Sequence, residues 1–371
     1  MDARKARVAK VAGELARRGY AAALFEDTEG RRDPSVRYLS GQPGDALFIV
    51  AASGRTALVA WDVHMARKYG AADRIDAYTD FGRSPRKALK AELELLGAAP
   101  GSTVAIPSVT SYPDYLKYVE ELEEFDLKCE EEGIGAFVEG MRAIKDELEL
   151  DVYRKAAGFT DRLMEAIERD VRSGAIKTEM DAALYIEREC RALGCEGTGF
   201  ETMSAGPARS FGIHAFPPYG AGGFGTKGMS ILDFGLKYEG YTTDVTMTFV
   251  REPSPLAEKM IALVQRAYDE TVALCKPGAS VRTVAARADA IFKEAGMSMP
   301  HSLGHGVGLE AHEFPLVRDR EDITATLRPG MIVTIEPGLY DPEAGGVRLE
   351  NDVLITETGH EVITHCKIIR L

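Results

Sequence analysis

The chain has 371 residues, 45% hydrophobic and 28% charged, with 45 Lys and Arg against 58 Asp and Glu for a net charge of −13. That length exceeds what one core ordinarily reaches, so two domains are expected, and the composition is that of a soluble globular protein rather than a disordered or fibrous one. The acidic balance repels nucleic acid and anionic membrane, so neither is an expected partner.

The N-terminal stretch MDARKARVAKVAGELARRGY mixes charge with apolar residues at helical spacing, which predicts a helix over 2–18 and leaves no apolar core for a signal peptide or anchor. No segment approaches the roughly 20 apolar residues of a membrane span. The apolar run Ala21 to Phe25 follows, then a predicted hairpin from ALFIV (46–50) and TALVA (56–60), and a buried strand at VAIPS (104–108). Helical patterns at 84–97 and 113–123 make this first part α/β. An acidic stretch near 125 precedes a long helical pattern beginning at Lys145, which places a domain boundary close to 143. A helix over 178–194 comes next. From 198 onward glycine-rich turns separate short strands, with two more helices at 255–275 and 280–295. There is no short-period repeat and no low-complexity tract. The five cysteines (Cys129, Cys190, Cys195, Cys275 and Cys366) lack C-x-x-C spacing and read as reduced thiols of a cytoplasmic protein.

The segment MSILDFGLKYEGYTTDVTMTF is the most informative. Two β-rich runs flank Lys237-Tyr238-Glu239-Gly240, and closing that four-residue loop with Leu236 opposite Tyr241 sets Asp233 directly across from Asp244. Two carboxylates face to face are destabilising unless a cation lies between them or one is protonated. Alternation along the second run puts Asp244 on a polar face with Thr242, Thr246 and Thr248, which suits a lined cavity better than the solvent-facing position a lone aspartate would take. A second hairpin, from strands at 331–335 and 347–355, opposes Glu336 to Glu350 if its register is undisturbed. Between the hairpins, Gly304, Gly306 and Gly308 let the backbone approach closely around His305, with His301 and His312 nearby; three of the seven histidines cluster here. Four carboxylates and an imidazole carry too much negative charge for one divalent ion and suit two, with manganese, cobalt, zinc and iron all compatible.

Taken together, ILDFG, GYTTDVTMTF, SLGHGVGLEAHE, TIEPGLY and GGVRLEND resemble, in order, the motifs of the pita-bread metallopeptidase family that includes proline dipeptidase, aminopeptidase P, methionine aminopeptidase and creatinase. The resemblance covers essentially the whole chain. It implies an α/β N-terminal creatinase-type domain over 1–142 and an α+β C-terminal pita-bread metallopeptidase domain over 143–371, and a homodimer. Methionine aminopeptidases typically lack the first domain and fit less well. By the resemblance, Asp244 and Glu350 would bridge two divalent metal ions, with Asp233 completing one and His305 and Glu336 the other. A hydroxide bridging the metals would attack the scissile carbonyl, with Glu336 as proton shuttle. His312 matches a position that contacts substrate and helps stabilise the tetrahedral intermediate, and His214 matches a substrate-binding histidine. Both are therefore expected to act on a short peptide substrate cleaved at an Xaa-Pro bond.

Two departures bear on substrate choice. Met247 stands where many relatives have Arg, and Leu316 stands where many proline dipeptidases carry an Arg that holds a terminal carboxylate, with Arg318 two residues on. A longer Xaa-Pro peptide is thereby favoured over a dipeptide. The rival readings are a metal-dependent hydrolase or lyase of a small non-peptide substrate and a non-catalytic binding module. Intact ligand positions argue against the second, because a binding module has no physical need for four clustered carboxylates. Trp61, the lone tryptophan, reads as a packed surface residue.

Overall fold

The computed structural model describes residues 3–371, and the chain divides into two compact units between Arg142 and Ala143. In the first unit the amphipathic pattern folds as the helix Ala3–Arg18, which buries Val11, Ala12 and Leu15; Asp2, the first residue of the predicted helix, lies outside the described residues. A six-stranded sheet follows in the order Arg74–Ala77, Thr56–Ala60, Ala46–Ala51, Tyr20–Asp27, Thr103–Ala105, Asp126–Lys128. The predicted hairpin forms, with Ala46 opposite Ala60 and Val50 opposite Thr56. Its central strand Ala46–Ala51 is buried throughout, and Leu47 and Ile49 share a core with Leu89 and Leu93 of the helix Pro85–Leu96. The two strands absent from the sequence reading, Arg74–Ala77 and Asp126–Lys128, are the sheet's outer strands. Charged edge strands blunt edge-to-edge pairing and therefore carry little apolar alternation to read. Trp61 is 40% exposed and stacks on Tyr78 with ring centroids 3.6 Å apart.

The second unit opens with the helix Glu147–Ser173. Asp146 and Glu149 close a reciprocal capping box at its start, and Gly174 ends it at φ 74°. Further helices span Glu179–Ala192, Pro255–Val272 and Val281–Glu294. They cover a four-stranded sheet (order Ile368–Arg370, Val245–Arg251, Gly228–Phe234, Met203–Ala205) and a five-stranded one (order Glu313–Val317, Gly304–Gly306, Ile332–Ile335, Asn351–Ile355, His360–Val362). No helix among the described residues is long and apolar enough to cross a membrane.

The first predicted register is corrected by two residues. Tyr238 pairs with Tyr241, so the hairpin closes on the two residues Glu239 and Gly240, both at positive φ (47° and 91°). A two-residue turn of this kind matches the right-handed twist of the flanking strands, which a wider loop does not require. Asp233 consequently faces Thr246, not Asp244. A shift of two preserves the face, because side chains alternate with period two. The second register holds. Ile335 pairs with Asn351 and Gly338 with Arg348, the alignment that sets Glu336 opposite Glu350.

Two strands read as continuous are interrupted at the residues that matter. The run from Tyr241 breaks between Thr242 and Val245, and that from Gly345 breaks between Arg348 and Asn351. Asp244 and Glu350 lie in those gaps, where the backbone is released from the ladder and can aim a side chain. The Asp244 amide donates to Asp352 Oδ2 at 3.2 Å, and the Glu350 amide to the Thr246 carbonyl at 3.1 Å.

Candidate metal centre

The two registers bring the acidic residues together from four segments. Glu350 is 2% exposed and accepts from Thr246 Oγ1 at 2.6 Å, so Thr246 lies between Glu350 on one side and Asp233, its ladder partner, on the other. Asp244, His305 and Glu350 each present a ligand atom within 4.8 Å of the others, and all three are buried. His305 Nε2 lies 3.5 Å from Glu336 Oε1 and 3.8 Å from Asp244 Oδ2. These separations are too long for hydrogen bonds. They match two ligands converging on one ion at roughly 2.0–2.2 Å each.

The His305 ring is aimed by its surroundings. Its Nδ1 lies 3.1 Å from the Gly306 carbonyl, which can only accept, so the proton sits on Nδ1 and Nε2 turns its lone pair toward the carboxylates. Its backbone amide donates to Thr334 Oγ1 at 3.1 Å. Gly304 is required beside it, because a Cβ there would stand 1.9 Å from the Thr334 carbonyl oxygen. His312 is exposed, but its ring meets that of His305 edge to face at 4.3 Å. His214, also exposed, lines the same cavity of about 690 Å³ together with all five predicted ligands and His312. The cavity thus gathers the five candidate ligands with His214, His301, His312 and Leu316, whereas Met247 and Arg318 do not line it.

Burial, followed by the neighbouring Glu350, pushes the Asp244 carboxyl well above its usual range, and the same two causes raise Glu336. Burial and then Asp233 push Glu350 up to about 7. Burial and then His312 lower His305 to about 4, keeping its imidazole neutral, the form in which it can ligate. Arg348, which is 2% exposed, is the one Lys or Arg among the described residues that line the cavity. Arg348 forms an ion pair with Asp233, donates to Thr246 Oγ1 at 2.9 Å and to the Tyr340 hydroxyl at 2.8 Å, and reaches the Ile213 carbonyl at 3.3 Å. Asp233 Oδ1 is buried with no hydrogen-bond partner among the described residues. Hard oxygen donors in excess of the available positive charge, a neutral imidazole and an orphaned carboxylate oxygen together fit divalent cations.

Three contributors carried too little signal in the sequence to be assigned a role. Arg348 looks like a surface arginine after two glycines, and Tyr340 like a turn aromatic. His301 belongs to the histidine cluster already noted; its Nε2 lies 3.0 Å from the Tyr340 hydroxyl, and its Nδ1 lies 2.8 Å from the Ser302 carbonyl. A lysine far from the motifs also contributes. Lys145 Nζ pairs with Glu313 at 3.2 Å, both side chains are nearly fully buried, and Glu313 also accepts from the Leu309 and Glu310 amides, which fixes the loop carrying His312.

The model of metallopeptidase family M24 matches residues 151–357, more than half of the chain, and that span contains all five acidic and imidazole positions. The chain belongs to metallopeptidase family M24. Among sequence relatives, an uncharacterized peptidase of Staphylococcus saprophyticus is 34% identical over 237 residues, 61% of this chain and 64% of the relative, and an uncharacterized peptidase of Staphylococcus aureus is 34% identical over 238 residues. The chain thus spans about 64% of the length of the curated relatives it matches. Solved structures agree over far more of it. The prolidase from Pyrococcus horikoshii OT3 superposes with a TM-score of 0.83 at 26% identity, covering 98% of this chain and 99% of that one. The Xaa-Pro dipeptidase from Bacillus anthracis superposes with a TM-score of 0.85 at 26% identity, covering 99% and 100%. The X-Pro aminopeptidase from Thermotoga maritima MSB8, at 24% identity and a TM-score of 0.84 over 98% and 99%, shares the fold. This M24 chain therefore has the two-domain pita-bread architecture expected from its motifs, with a buried Asp/His/Glu group in the matched region that can hold a divalent metal.

Proposed function

We propose that the chain is a metal-dependent peptidase that hydrolyses the Xaa-Pro bond of short peptides, with a catalytic domain over 143–371 and a creatinase-like domain over 1–142. The observation that carries this reading is the convergence of Asp233, Asp244, His305, Glu336 and Glu350 on one cavity with positive charge enough for only one of them. Two divalent ions, Mn, Co, Zn or Fe, would be held by these five residues, with Asp244 and Glu350 serving both, Asp233 serving one and His305 and Glu336 the other. When bound, such ions polarise a carbonyl and lower the pKa of water.

The chain's own residues supply the rest. Glu336, raised by burial and by Glu350, is suited to take a proton from the attacking water and return it to the departing nitrogen. His312, exposed and set against the His305 ring, is placed to donate to the oxygen of the tetrahedral intermediate. His214, which lines the same cavity, would hold the peptide. The apolar lining of Ile213, Ala215, Pro218 and Leu316 offers a site for a proline ring. The names of the Pyrococcus and Bacillus neighbours support the Xaa-Pro preference. A cytoplasmic homodimer completes the proposal by family resemblance.

Leu316 lines the cavity where a cation would be needed to hold a free C-terminal carboxylate, and Arg348, the sole lining arginine among the described residues, is committed to Asp233. Metal-loaded protein is accordingly expected to cleave an Xaa-Pro tripeptide with a kcat/KM roughly tenfold above the matching dipeptide, since a lost charge-assisted hydrogen bond costs about 1.5–3 kcal/mol. A chelator is expected to stop both reactions. The test is a panel of Xaa-Pro dipeptides and tripeptides with Mn²⁺ or Co²⁺. Failure to cleave any of them would remove the peptidase reading in favour of a non-peptide substrate, and a dipeptide preference would overturn the assignment of Leu316.

A further inference from the structure

The cavity is lined by two acidic side chains outside the proposed metal centre, Glu313, which is paired with Lys145, and Glu201. Met203 pairs with Asp233, whereas the Gly199 amide donates to the Gly235 carbonyl at 2.9 Å. Four residues on one side therefore advance alongside two on the other, a surplus of two, and Phe200, Glu201 and Thr202 lie between these pairings, outside the ladder. Such bulges re-aim side chains next to functional sites. Here Thr202 is buried, while Phe200 and Glu201 line the cavity. Gly235 makes room for this arrangement, because a Cβ on it would stand 2.9 Å from Phe200 Cε1.

The other lining carboxylates each have a partner or a proposed role. Glu313 is paired with Lys145 and Asp233 with Arg348, and the remaining lining carboxylates, Asp244, Glu336 and Glu350, belong to the proposed metal centre. Glu201 has no hydrogen-bond or ion-pair partner among the described residues, and no lysine lines the cavity. The wall thus offers one uncompensated carboxylate to a ligand, beside the apolar side chains of Phe200 and Met203.

Building on the proposed peptidase reading, we infer that Glu201 is a specificity-determining residue that selects peptides with a basic side chain, Lys or Arg, immediately before the proline. Distance favours a side-chain cation over the peptide's α-ammonium. Glu201 lies two residues before Met203, the ladder partner of Asp233, so its backbone stands up to roughly 7 Å along the chain from that pairing. An α-amine is only two bonds from the scissile carbonyl and stays at the metal ligands. A lysine or arginine stem spans the extra length, its methylenes against Phe200 and Met203 and its charged head at Glu201, as long cationic side chains do over apolar surface.

The experiment compares Lys-Pro-Ala with norleucine-Pro-Ala, its uncharged near-isostere, in the wild type and in Glu201→Gln with Mn²⁺ present. The wild type should prefer the lysine peptide roughly tenfold in kcat/KM, mainly through KM, and the variant should bring that ratio close to one. Calorimetric dissociation constants of the free amino acids lysine and norleucine should show the same ratio and the same loss. A ratio that Glu201→Gln leaves unchanged overturns the inference, including the case in which both peptides weaken equally, which would place the α-ammonium at Glu201 instead. If the wild type cleaves neither peptide, the peptidase reading fails, while the amino-acid binding ratio still decides the role of Glu201.

Discussion

Asp244→Asn is expected to lower kcat/KM for an Xaa-Pro tripeptide by about 10³-fold or more, because loss of an outer-sphere partner alone typically costs 10–100-fold and Asp244 is placed to touch the metal directly. The same substitution should stabilise the metal-free protein. Asp244 is 5% exposed, and its carboxyl is raised by burial and then by Glu350, Asp233, Asp352 and Glu336, so in the absence of a cation it contributes strain rather than stability. Replacing it with a neutral isostere removes that strain at nearly constant volume. Thermal unfolding with and without Mn²⁺ separates the two effects: the chelated variant should melt above the chelated wild type, and added metal should raise it less. Near-normal turnover in Asp244→Asn would sink the assignment of this residue as a bridging ligand.

Arg348→Met should destabilise the metal-free protein by about 3–5 kcal/mol, the usual cost of leaving one member of a buried ion pair uncompensated. The guanidinium holds Asp233, Thr246 and Tyr340 at once, partners on three different strands, and lysine could not reproduce that planar fork. Metal and Arg348 compensate the same carboxylates, so the penalty should shrink when Mn²⁺ is present. Denaturant melts of the wild type and variant, each with and without metal, measure this difference. A penalty of equal size in both states would mean that Arg348 stabilises by packing and hydrogen bonding alone, without sharing charge with the metal centre.

The candidate ligand residues were legible as one cluster in the sequence because their chemistry is improbable in any other setting. Aspartates in β-rich runs, glycines flanking His305 and glutamates near strand ends make poor sense as separate features and good sense as one site. The Glu336 and Glu350 alignment was also readable, since the pairing from Ile332 to Asp341 keeps one register across both. The Asp233 and Asp244 alignment was not. Glu239 and Gly240 form a two-residue turn, and nothing in Lys237-Tyr238-Glu239-Gly240 distinguishes that from a four-residue loop, because a glutamate at positive φ is uncommon. The strand breaks at Asp244 and Glu350 escaped for a related reason. They arise from pairing with segments about a hundred residues distant, such as Thr246 with Glu350, which no local pattern encodes. Arg348 and Lys145 were missed because a buried, paired cation and a solvated one have the same letter in the sequence. Only the third dimension reveals which carboxylate each one faces.

Whether this carboxylate and histidine cluster is a two-ion centre is tested most directly by calorimetric titration of Mn²⁺ into chelator-stripped protein. The wild type should bind two equivalents per chain, with Xaa-Pro tripeptide hydrolysis rising as they bind, and Glu350→Gln should lose both tight sites together because Glu350 is placed to touch both ions. Binding of a single equivalent, or a Glu350→Gln variant that still takes up two with wild-type affinity, would contradict it.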